Sequence, residues 1–271
     1  FHGRTLAALS ATGQKNYHKG FEPLLEGFEF FEYNNLNSFK ELLNRIETNG
    51  PKAAAVLIEP IQGEGGLHTG DKTFFREIKN ICSEKKILLI FDEVQTGIGR
   101  TGNLWGYEHL GVEPDAFTLA KGLGGGHPIG ALLVKEAYDC FEPGDHASTF
   151  GGNPFSCKAG LTVLRQIESR NILMNVINRG RQLEHGLMRI VNNFPTHLEG
   201  IRGVGLMQGL VIKQSIKLTA TEVMKTALKE RLLILTAGPK VIRMVPSLTI
   251  SENEIKHLLQ KLELSLNILI Q

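Results

Sequence analysis

Four short apolar runs constrain what this chain can fold into. They cover residues 53–58, 87–91, 116–120 and 130–134, and none of them alternates apolar with polar residues. A strand with one face in water shows such alternation, so these runs predict strands that are covered on both faces. Strands of this kind belong to parallel or mixed sheets that lie between layers of helices, which predicts an α/β fold.

The segment between the first two runs supports this architecture. Its residues Phe74, Ile78, Ile81 and Cys82 recur at helical spacing, as on the apolar face of an amphipathic helix. A strand, a helix and a second strand in this order form a β-α-β unit, whose two strands run parallel.

The sequence after Asn153 predicts a second kind of structure. Two Ser/Thr-x-x-Glu patterns predict helix starts with capping boxes. We therefore predict a large domain over residues 1–175, followed by a connecting helix and a small α+β domain over residues 176–271. The elements expected in this part are long helices over 154–194, strands within 201–213 and 241–246, and capping boxes at Thr219/Glu222 and Ser251/Glu254.

The composition narrows the classes of partner. The chain of 271 residues carries 30 basic and 28 acidic residues, a formal net charge of +2, so no broad field for nucleic acid or membrane surfaces is expected. Three cysteines without a C-x-x-C pair, and histidines without metal-ligand spacing, favour neither a disulfide framework nor a metal site. We expect a cytoplasmic protein that acts on small molecules.

Polar and ionisable residues follow three of the apolar runs. Ligands of open α/β sheets bind beyond the carboxyl ends of the strands, so these residues are expected to meet at one edge if the strands are parallel. They are Glu59, Gln62 and Glu64 after the first run, Asp92, Glu93 and Gln95 after the second, and Lys121 after the third.

The glycine-rich segment that begins at Lys121 matches neither of two common phosphate-binding motifs. "GLGGGH" departs from G-x-G-x-x-G and leads to a strand-like run, and the lysine precedes the glycines, unlike in a Walker A loop. A lysine can also form a Schiff base with an aldehyde. Pyridoxal 5'-phosphate needs such a lysine and an acid at its pyridine nitrogen, which Asp92 supplies if its strand lies beside that of Lys121.

Each residue also has a simpler explanation. An Asp after a strand is often a helix N-cap, Gly-rich loops are usually turns, and charged side chains such as Arg4, Glu64 and Arg243 are commonly solvated. The joint pattern of acid, amide and lysine at successive strand ends favours the functional interpretation.

Four segments resemble the signatures of a known family. "LLIFDEVQTGIGRTG", "EPIQGEGG", "LAKGLGGGHPIGA" and "STFGGNP" are similar to segments of the class III PLP-dependent aminotransferases, which have the fold type I, aspartate aminotransferase-like architecture. The resemblance covers essentially the whole chain. It implies a partial large domain with a mainly parallel sheet, plus a small C-terminal α+β domain.

The resemblance also implies a set of residues for the cofactor. Lys121 would form the Schiff base and move the proton, and Asp92 would hold the pyridine nitrogen. Phe1 would stack on the ring, and Gln95 would lie near its phenolic oxygen. The full set implied for the cofactor is Phe1, Asp92, Glu93, Val94, Gln95, Lys121 and Thr149, with Thr149 reaching the phosphate bound by the partner subunit of a homodimer.

For the substrates, the resemblance implies Arg4, Glu64, Ser148 and Arg243. Arg4 would bind a substrate carboxylate, and Ser148 would lie beside the substrate. Arg243 would bind the α-carboxylate of glutamate or 2-oxoglutarate, and Glu64 would pair with Arg243 when a substrate reacts through its distal amine. An arginine that a glutamate can neutralise offers two electrostatic states in one pocket.

The segments "FHGRT" and "PKVIRMVPSL" resemble most the family members that transaminate N2-acetyl-L-ornithine with 2-oxoglutarate in arginine biosynthesis. Family members using ornithine, succinylornithine, 4-aminobutyrate or a lysine precursor remain alternatives, as do a nucleotide-binding oxidoreductase and an inactive fragment. The family's glycine- and serine/threonine-rich phosphate-binding turn precedes the position of Phe1. We therefore expect this chain to correspond to the C-terminal portion of such an enzyme.

Overall fold

The structure, a computed structural model, describes residues 1–50 and 52–270. By their internal contacts they form two units. The first comprises Phe1–Pro60, Gly70–Gln95 and Gly106–Val163, and the second comprises Ile61–Thr69, Thr96–Trp105 and Leu164–Gln271. Both therefore draw on more than one stretch of the chain. The predicted domain boundary between residues 175 and 176 stays a prediction.

The first unit is built on a four-stranded sheet of order β1-β2-β3-β4. Strands β1, β2 and β3 are parallel and β4 is antiparallel to β3, which confirms the predicted mainly parallel sheet. The register places Asp92 opposite Thr118. The strands are β1 (Ala55–Ile58), β2 (Leu88–Asp92), β3 (Ala116–Leu119) and β4 (Ala131–Val134).

The β-α-β prediction is confirmed by the helix between β1 and β2. Helices of this unit are α1 (Leu6–Ser10), α2 (Leu36–Asn49) and α3 (Lys72–Lys85). Helix α3 begins where the side chain of Asp71 accepts a hydrogen bond from the backbone N–H of Phe74, and it ends at Lys86 in the left-handed region. Its fully buried Phe75 meets Phe91 of β2 edge to face, with ring centroids 5.4 Å apart. Both belong to one core cluster with buried residues of the first two apolar runs.

Strand β4 differs from the expectation that both faces are covered. Leu132 is 49% exposed and Leu133 is 37% exposed. Strand β4 also lies at the end of the strand order and pairs only with β3 among the described strands. An apolar run predicts that a surface is buried in the final assembly, but it does not say which chain buries it.

The second unit contains an antiparallel sheet of order β5-β6-β8-β7 and long helices, as predicted for an α+β domain. The capping boxes at Thr219/Glu222 and Ser251/Glu254 are both formed. Every described helix is either too short or too polar to span a lipid bilayer. Helix α4 (Pro154–Ser169) begins in the first unit and ends in the second. The other helices and strands of the second unit are α5 (Ile172–Asn193), β5 (Leu198–Val204), β6 (Met207–Ile212), α6 (Ala220–Lys229), β7 (Leu235–Thr236), β8 (Val241–Met244) and α7 (Glu252–Ile270).

Helix α5 lies very close to the turn between β5 and β6. The buried amide of Gln208 donates to the carbonyl oxygens of Gly180 and Gly205, at 2.8 Å each. A Cβ at position 180 would lie 2.8 Å from the carbonyl oxygen of Gly205. Because that obstacle is backbone, it cannot move aside as a flexible side chain would.

We expect Gly180→Ala to lower the free energy of unfolding by about 1–3 kcal/mol, as overpacking does. In an unobstructed helix the same change would stabilise the protein by about 1 kcal/mol. The sign of the change in the free energy of unfolding therefore shows whether the Cβ is obstructed. Denaturant titration measures the change. Gly200→Ala is the matched control in the same unit, because a Cβ there would meet no atom within 4 Å. A stabilised Gly180→Ala variant would contradict the close approach.

Candidate active site

The parallel register of the first unit brings three strand ends to one edge of the sheet. Glu59 follows β1, Asp92 ends β2, and Lys121 comes two residues after the end of β3. Glu59 and Asp92 are buried, at 6% and 7% exposure, and Lys121 is exposed. The expected gathering of acids and a lysine at the carboxyl edge is therefore confirmed for these three residues.

Asp92 is held by three hydrogen bonds. Its Oδ2 lies 2.8 Å from Nδ1 of His2, and its Oδ1 accepts from the backbone N–H of Val94 at 3.0 Å and from the hydroxyl of Thr118 at 3.3 Å. Burial alone raises the pKa of Asp92, but the hydrogen bond and charge of His2, with the Val94 amide, outweigh it and hold the pKa below its usual value. The carboxylate is therefore ionised at neutral pH.

His2 is a functional residue that the sequence analysis did not identify. Because an ionised carboxylate can only accept, Nδ1 of His2 carries the proton of the bond to Asp92. The backbone N–H of His2 donates to the hydroxyl of the fully buried Thr12 at 2.9 Å. The sequence offered one signal for His2, which is its position between Phe1 and Arg4 in the segment "FHGRT".

The neighbouring Glu93 holds a loop in place through hydrogen bonds to backbone N–H groups. Its carboxylate accepts from the backbone N–H groups of Gly106 at 2.9 Å and Tyr107 at 2.6 Å. Glu93 is only 1% exposed, so it closes the loop after β2 onto the start of a 3₁₀ turn. The cofactor contacts predicted for Glu93, for Val94 and for the half-buried Gln95 stay predictions.

Lys121 has an unusual backbone. It begins a 3₁₀ turn, Lys121–Gly124, directly after β3 and Ala120, and its φ is +40°. A residue other than glycine rarely adopts a positive φ, and such strain gathers at functional sites. This conformation is an observation of the structure that the sequence did not predict.

Two predicted residues lie in the exposed loop before α4. Ser148 and Thr149 are both exposed, and the hydroxyl of Ser148 accepts from the backbone N–H of Gly151 at 3.0 Å. Their side chains are thus presented on the surface of this chain. The roles predicted for them stay predictions.

Arg4 and Phe1 lie together near the start of the chain. The guanidinium carbon of Arg4 is 5.5 Å from the ring centroid of Phe1 and 4.6 Å from that of Tyr17. Phe1 is half-buried, whereas Arg4 is exposed. Tyr17 is a second contact that the sequence analysis did not identify.

In the second unit, Glu64 and Arg243 form the predicted pair. Nη1 of Arg243, on β8, donates to Oε1 of Glu64 at 2.8 Å and to the carbonyl oxygen of Gly63 at 2.8 Å. The side chain of Arg243 is 8% exposed and that of Glu64 is 24% exposed. A bond between charged groups with so little water is stronger than a surface ion pair.

The ionised carboxylate of Asp92 suits an organic cofactor with a cationic ring nitrogen. No cluster of metal-ligating side chains occurs in residues 1–50 and 52–270. The carboxylate of Asp92 offers about four acceptor directions, of which three are used by His2, Val94 and Thr118. A ring N–H can therefore bind Asp92 without displacing its present donors. The residues of the first unit fit pyridoxal 5'-phosphate in this respect.

Comparison with known proteins identifies the relatives of this sequence. Acetylornithine aminotransferase of Prochlorococcus marinus (strain MIT 9313) is 63% identical over 266 residues, covering 98% of this chain and 64% of that protein. Acetylornithine aminotransferase of Nostoc sp. (strain PCC 7120) is 52% identical and covers 98% of this chain and 62% of that protein. The chain thus spans less than two thirds of the length of these relatives.

Solved structures of aminotransferases have the same fold as this chain. Ornithine aminotransferase from Toxoplasma gondii ME49 superimposes with a TM-score of 0.89 at 30% identity, over 99% of this chain and 63% of that one. N-acetylornithine aminotransferase from Stenotrophomonas maltophilia K279a gives a TM-score of 0.79 at 34% identity, over 91% of this chain and 64% of that one. The predicted fold type I architecture is confirmed.

The model of the family described as aminotransferase class-III matches residues 1–266. This match covers nearly the whole chain, and both sets of relatives agree with it. The chain therefore belongs to the class-III aminotransferase family, whose members use pyridoxal 5'-phosphate.

Proposed function

We propose that this protein is an aminotransferase that moves the δ-amino group of N2-acetyl-L-ornithine to 2-oxoglutarate, giving N-acetyl-L-glutamate 5-semialdehyde and L-glutamate in arginine biosynthesis. The names of the Prochlorococcus and Nostoc relatives support the choice of substrate. The observation that carries the proposal is the ionised, buried Asp92 on β2, next to the strand that leads to Lys121.

The roles of Asp92 and Lys121 follow from their chemistry. When bound, pyridoxal 5'-phosphate supplies an aldehyde that exchanges amino groups and a ring that withdraws electrons from the reacting carbon. Asp92 would accept the hydrogen bond of the pyridine N–H and keep that nitrogen protonated. Lys121 would hold the aldehyde group of the cofactor, and its Nζ would carry the proton that moves during the reaction.

The other proposed cofactor contacts serve orientation. Phe1 would stack on the ring, and Gln95 would donate near the phenolic oxygen, with Glu93 and Val94 completing the segment around Asp92. Thr149 would bind the phosphate held by the partner subunit. The exposure of Thr149 on the surface of this chain supports that role.

Arg243 would bind the α-carboxylate of glutamate or 2-oxoglutarate, and Glu64 would neutralise it for the acetylated substrate. The 2.8 Å pair within the second unit is the masked state of this arginine. A dicarboxylate that competes for Arg243 would release Glu64, so a single cation would serve two substrates. Arg4 would bind the other substrate carboxylate, with Ser148 beside the substrate.

A homodimer is part of the proposal. Apolar side chains are exposed on β4 and on the segment that follows it in the first unit, and exposed apolar side chains are one feature of protein interfaces. These residues are Leu132, Leu133, Tyr138, Phe141, Phe150, Phe155 and Leu161. A cytoplasmic location stays a prediction.

Ornithine is the second candidate donor, because the Toxoplasma ornithine aminotransferase superimposes with a TM-score of 0.89. The two candidates differ in whether the α-amine of the donor is acetylated. A coupled assay with 2-oxoglutarate that compares the kcat/KM of N-acetylornithine with that of ornithine distinguishes them.

We expect Lys121→Ala to reduce transamination of N-acetylornithine at least about a thousandfold, because general acid–base catalysis alone contributes a factor of about 10²–10⁴. The coupled assay with 2-oxoglutarate and added pyridoxal 5'-phosphate measures this loss. Lys135→Ala is the control, since that half-buried lysine pairs with Glu113 at 3.2 Å and has no proposed catalytic role. Full activity of Lys121→Ala would refute the assignment.

Glu64→Gln keeps the shape of the side chain and removes the charge that neutralises Arg243. We expect kcat/KM for N-acetylornithine to fall relative to that for glutamate by about tenfold or more, since hydrogen bonds between charged groups contribute about 1.5–3 kcal/mol. Steady-state kinetics with each donor gives the ratio. Glu29→Gln is the control, because it removes an acid from an exposed pair with Arg45 at 2.7 Å. An unchanged ratio would show that Glu64 does not mask Arg243.

Replacing His2 by Phe removes the donor that holds Asp92 ionised, so we expect the pKa of Asp92 to rise. A lowered carboxyl pKa stabilises the fold above the pKa of the unfolded chain, and this contribution is lost as the pH falls through the folded value. At neutral pH the variant should therefore have a lower free energy of unfolding than the wild type. This difference should become smaller at acidic pH. Carbon-13 NMR titration of Asp92 and unfolding between pH 3 and 7 measure both effects. His18→Phe, which loses a bond to the carbonyl oxygen of Thr12 instead, is the control; an unshifted Asp92 in His2→Phe would contradict the expectation.

A further inference from the structure

The guanidinium of Arg4 lies over an aromatic pair. Its guanidinium carbon lies 4.6 Å from the ring centroid of Tyr17 and 5.5 Å from that of Phe1. The two rings meet nearly edge to face, with centroids 5.2 Å apart and planes at 67°. Tyr17 ends the 3₁₀ turn Lys15–Tyr17 and is half-buried.

Within the described part of the chain, Arg4 forms no ion pair with an acidic side chain. Among the side chains of the described residues, none forms an ion pair or a hydrogen bond with Arg4. Arg243 of the second unit shows the alternative, because Glu64 binds its Nη1 at 2.8 Å. The two arginines proposed to bind substrate are thus held in different ways.

The difference matters for what each arginine can bind. Stacking on an aromatic ring uses the flat face of a guanidinium, whereas a carboxylate binds the N–H groups at its edge. A ring can therefore fix the plane of Arg4 and leave its five N–H donors for a ligand. An acidic neighbour would fix the plane equally well, but it would also occupy those donors and cancel the charge.

We propose that Tyr17 is a positioning residue that orients Arg4 for a substrate carboxylate by stacking on its guanidinium. The inference rests on the proposed function, in which Arg4 binds a carboxylate of an amino acid or 2-oxo acid. Arg4 is then an arginine that is always ready for a carboxylate, while Arg243 is available only when Glu64 releases it. Tyr17 would contribute to the selection of carboxylate-bearing substrates without touching the reacting amine.

Two donors that differ only in this carboxylate test the proposal. N-acetyl-1,4-diaminobutane has the reacting amine and the acetamide of N-acetylornithine but no carboxylate. Tyr17→Leu should lower the ratio of the kcat/KM values, N-acetylornithine over N-acetyl-1,4-diaminobutane, by about two- to fivefold, the effect expected for an exposed cation–π contact. The loss should come from KM for N-acetylornithine. Because both donors are measured on one preparation, the ratio does not depend on the fraction of enzyme that is folded.

The control variants separate the ring from its hydroxyl and from general disturbance. Tyr17→Phe keeps the aromatic face and should retain the wild-type ratio, as should Phe21→Leu, which changes a neighbouring aromatic residue that is 59% exposed. Arg4→Gln should lower the ratio more than Tyr17→Leu. In Arg4→Gln, the further change Tyr17→Leu should have no additional effect, because the contact is already lost. Calorimetric titration with 2-oxoglutarate gives a second reading of carboxylate binding that requires no turnover.

Three results would overturn the inference. Tyr17→Leu could leave the ratio unchanged although Arg4→Gln lowers it, Tyr17→Leu could slow both donors equally, or Tyr17→Phe could lose as much as Tyr17→Leu. A wild-type ratio in Arg4→Gln would instead refute the carboxylate-binding role of Arg4 in the proposed function, and the inference would fail with it. Failure of the wild-type enzyme to use N-acetylornithine would refute the proposed function itself.

Discussion

An ionised carboxylate inside a folded unit must be surrounded by hydrogen-bond donors, and Asp92 shows how the first unit meets this requirement. Removing a charge from water without partners costs several kcal/mol or more. The donors come from three separate places, the imidazole of His2, the backbone of Val94 and the hydroxyl of Thr118. Two of them depend on the fold, because the register of β2 with β3 supplies Thr118 and the buried Thr12 anchors His2, whereas Val94 is a local donor two residues from Asp92.

This arrangement determines what the edge of the sheet can bind. A carboxylate that is already ionised and held rigidly can stabilise a positive ring nitrogen without reorganising when a ligand arrives. The strained backbone of Lys121 at the end of the neighbouring strand belongs to the same edge. Glu93, although adjacent in sequence, closes the loop after β2 instead. Proximity in the sequence therefore does not give two neighbouring acids the same task.

The two arginines illustrate how a protein can prepare a cation for an anion. Arg243 is buried and paired with Glu64, which neutralises its charge in this structure. Arg4 is exposed, and its guanidinium lies over the rings of Tyr17 and Phe1. Both residues looked like ordinary solvated charges in the sequence. Only their contacts distinguish a masked binding group from an open one, because the same side chain serves both purposes.

The sequence by itself determined the α/β class, the order of the strands along the chain, both capping boxes and the gathering of Asp92 and Lys121 at one edge. These features depend on local periodicity and on the rule that parallel strands end at the same side, so residue types and spacing suffice to predict them. The tertiary structure alone decided the partners. His2 beside Asp92, Tyr17 beneath Arg4 and the backbone amides on Glu93 are contacts between residues whose spacing follows no local pattern. The exposed face of β4 also escaped the sequence, since an apolar run shows that a surface avoids water and cannot show what covers it.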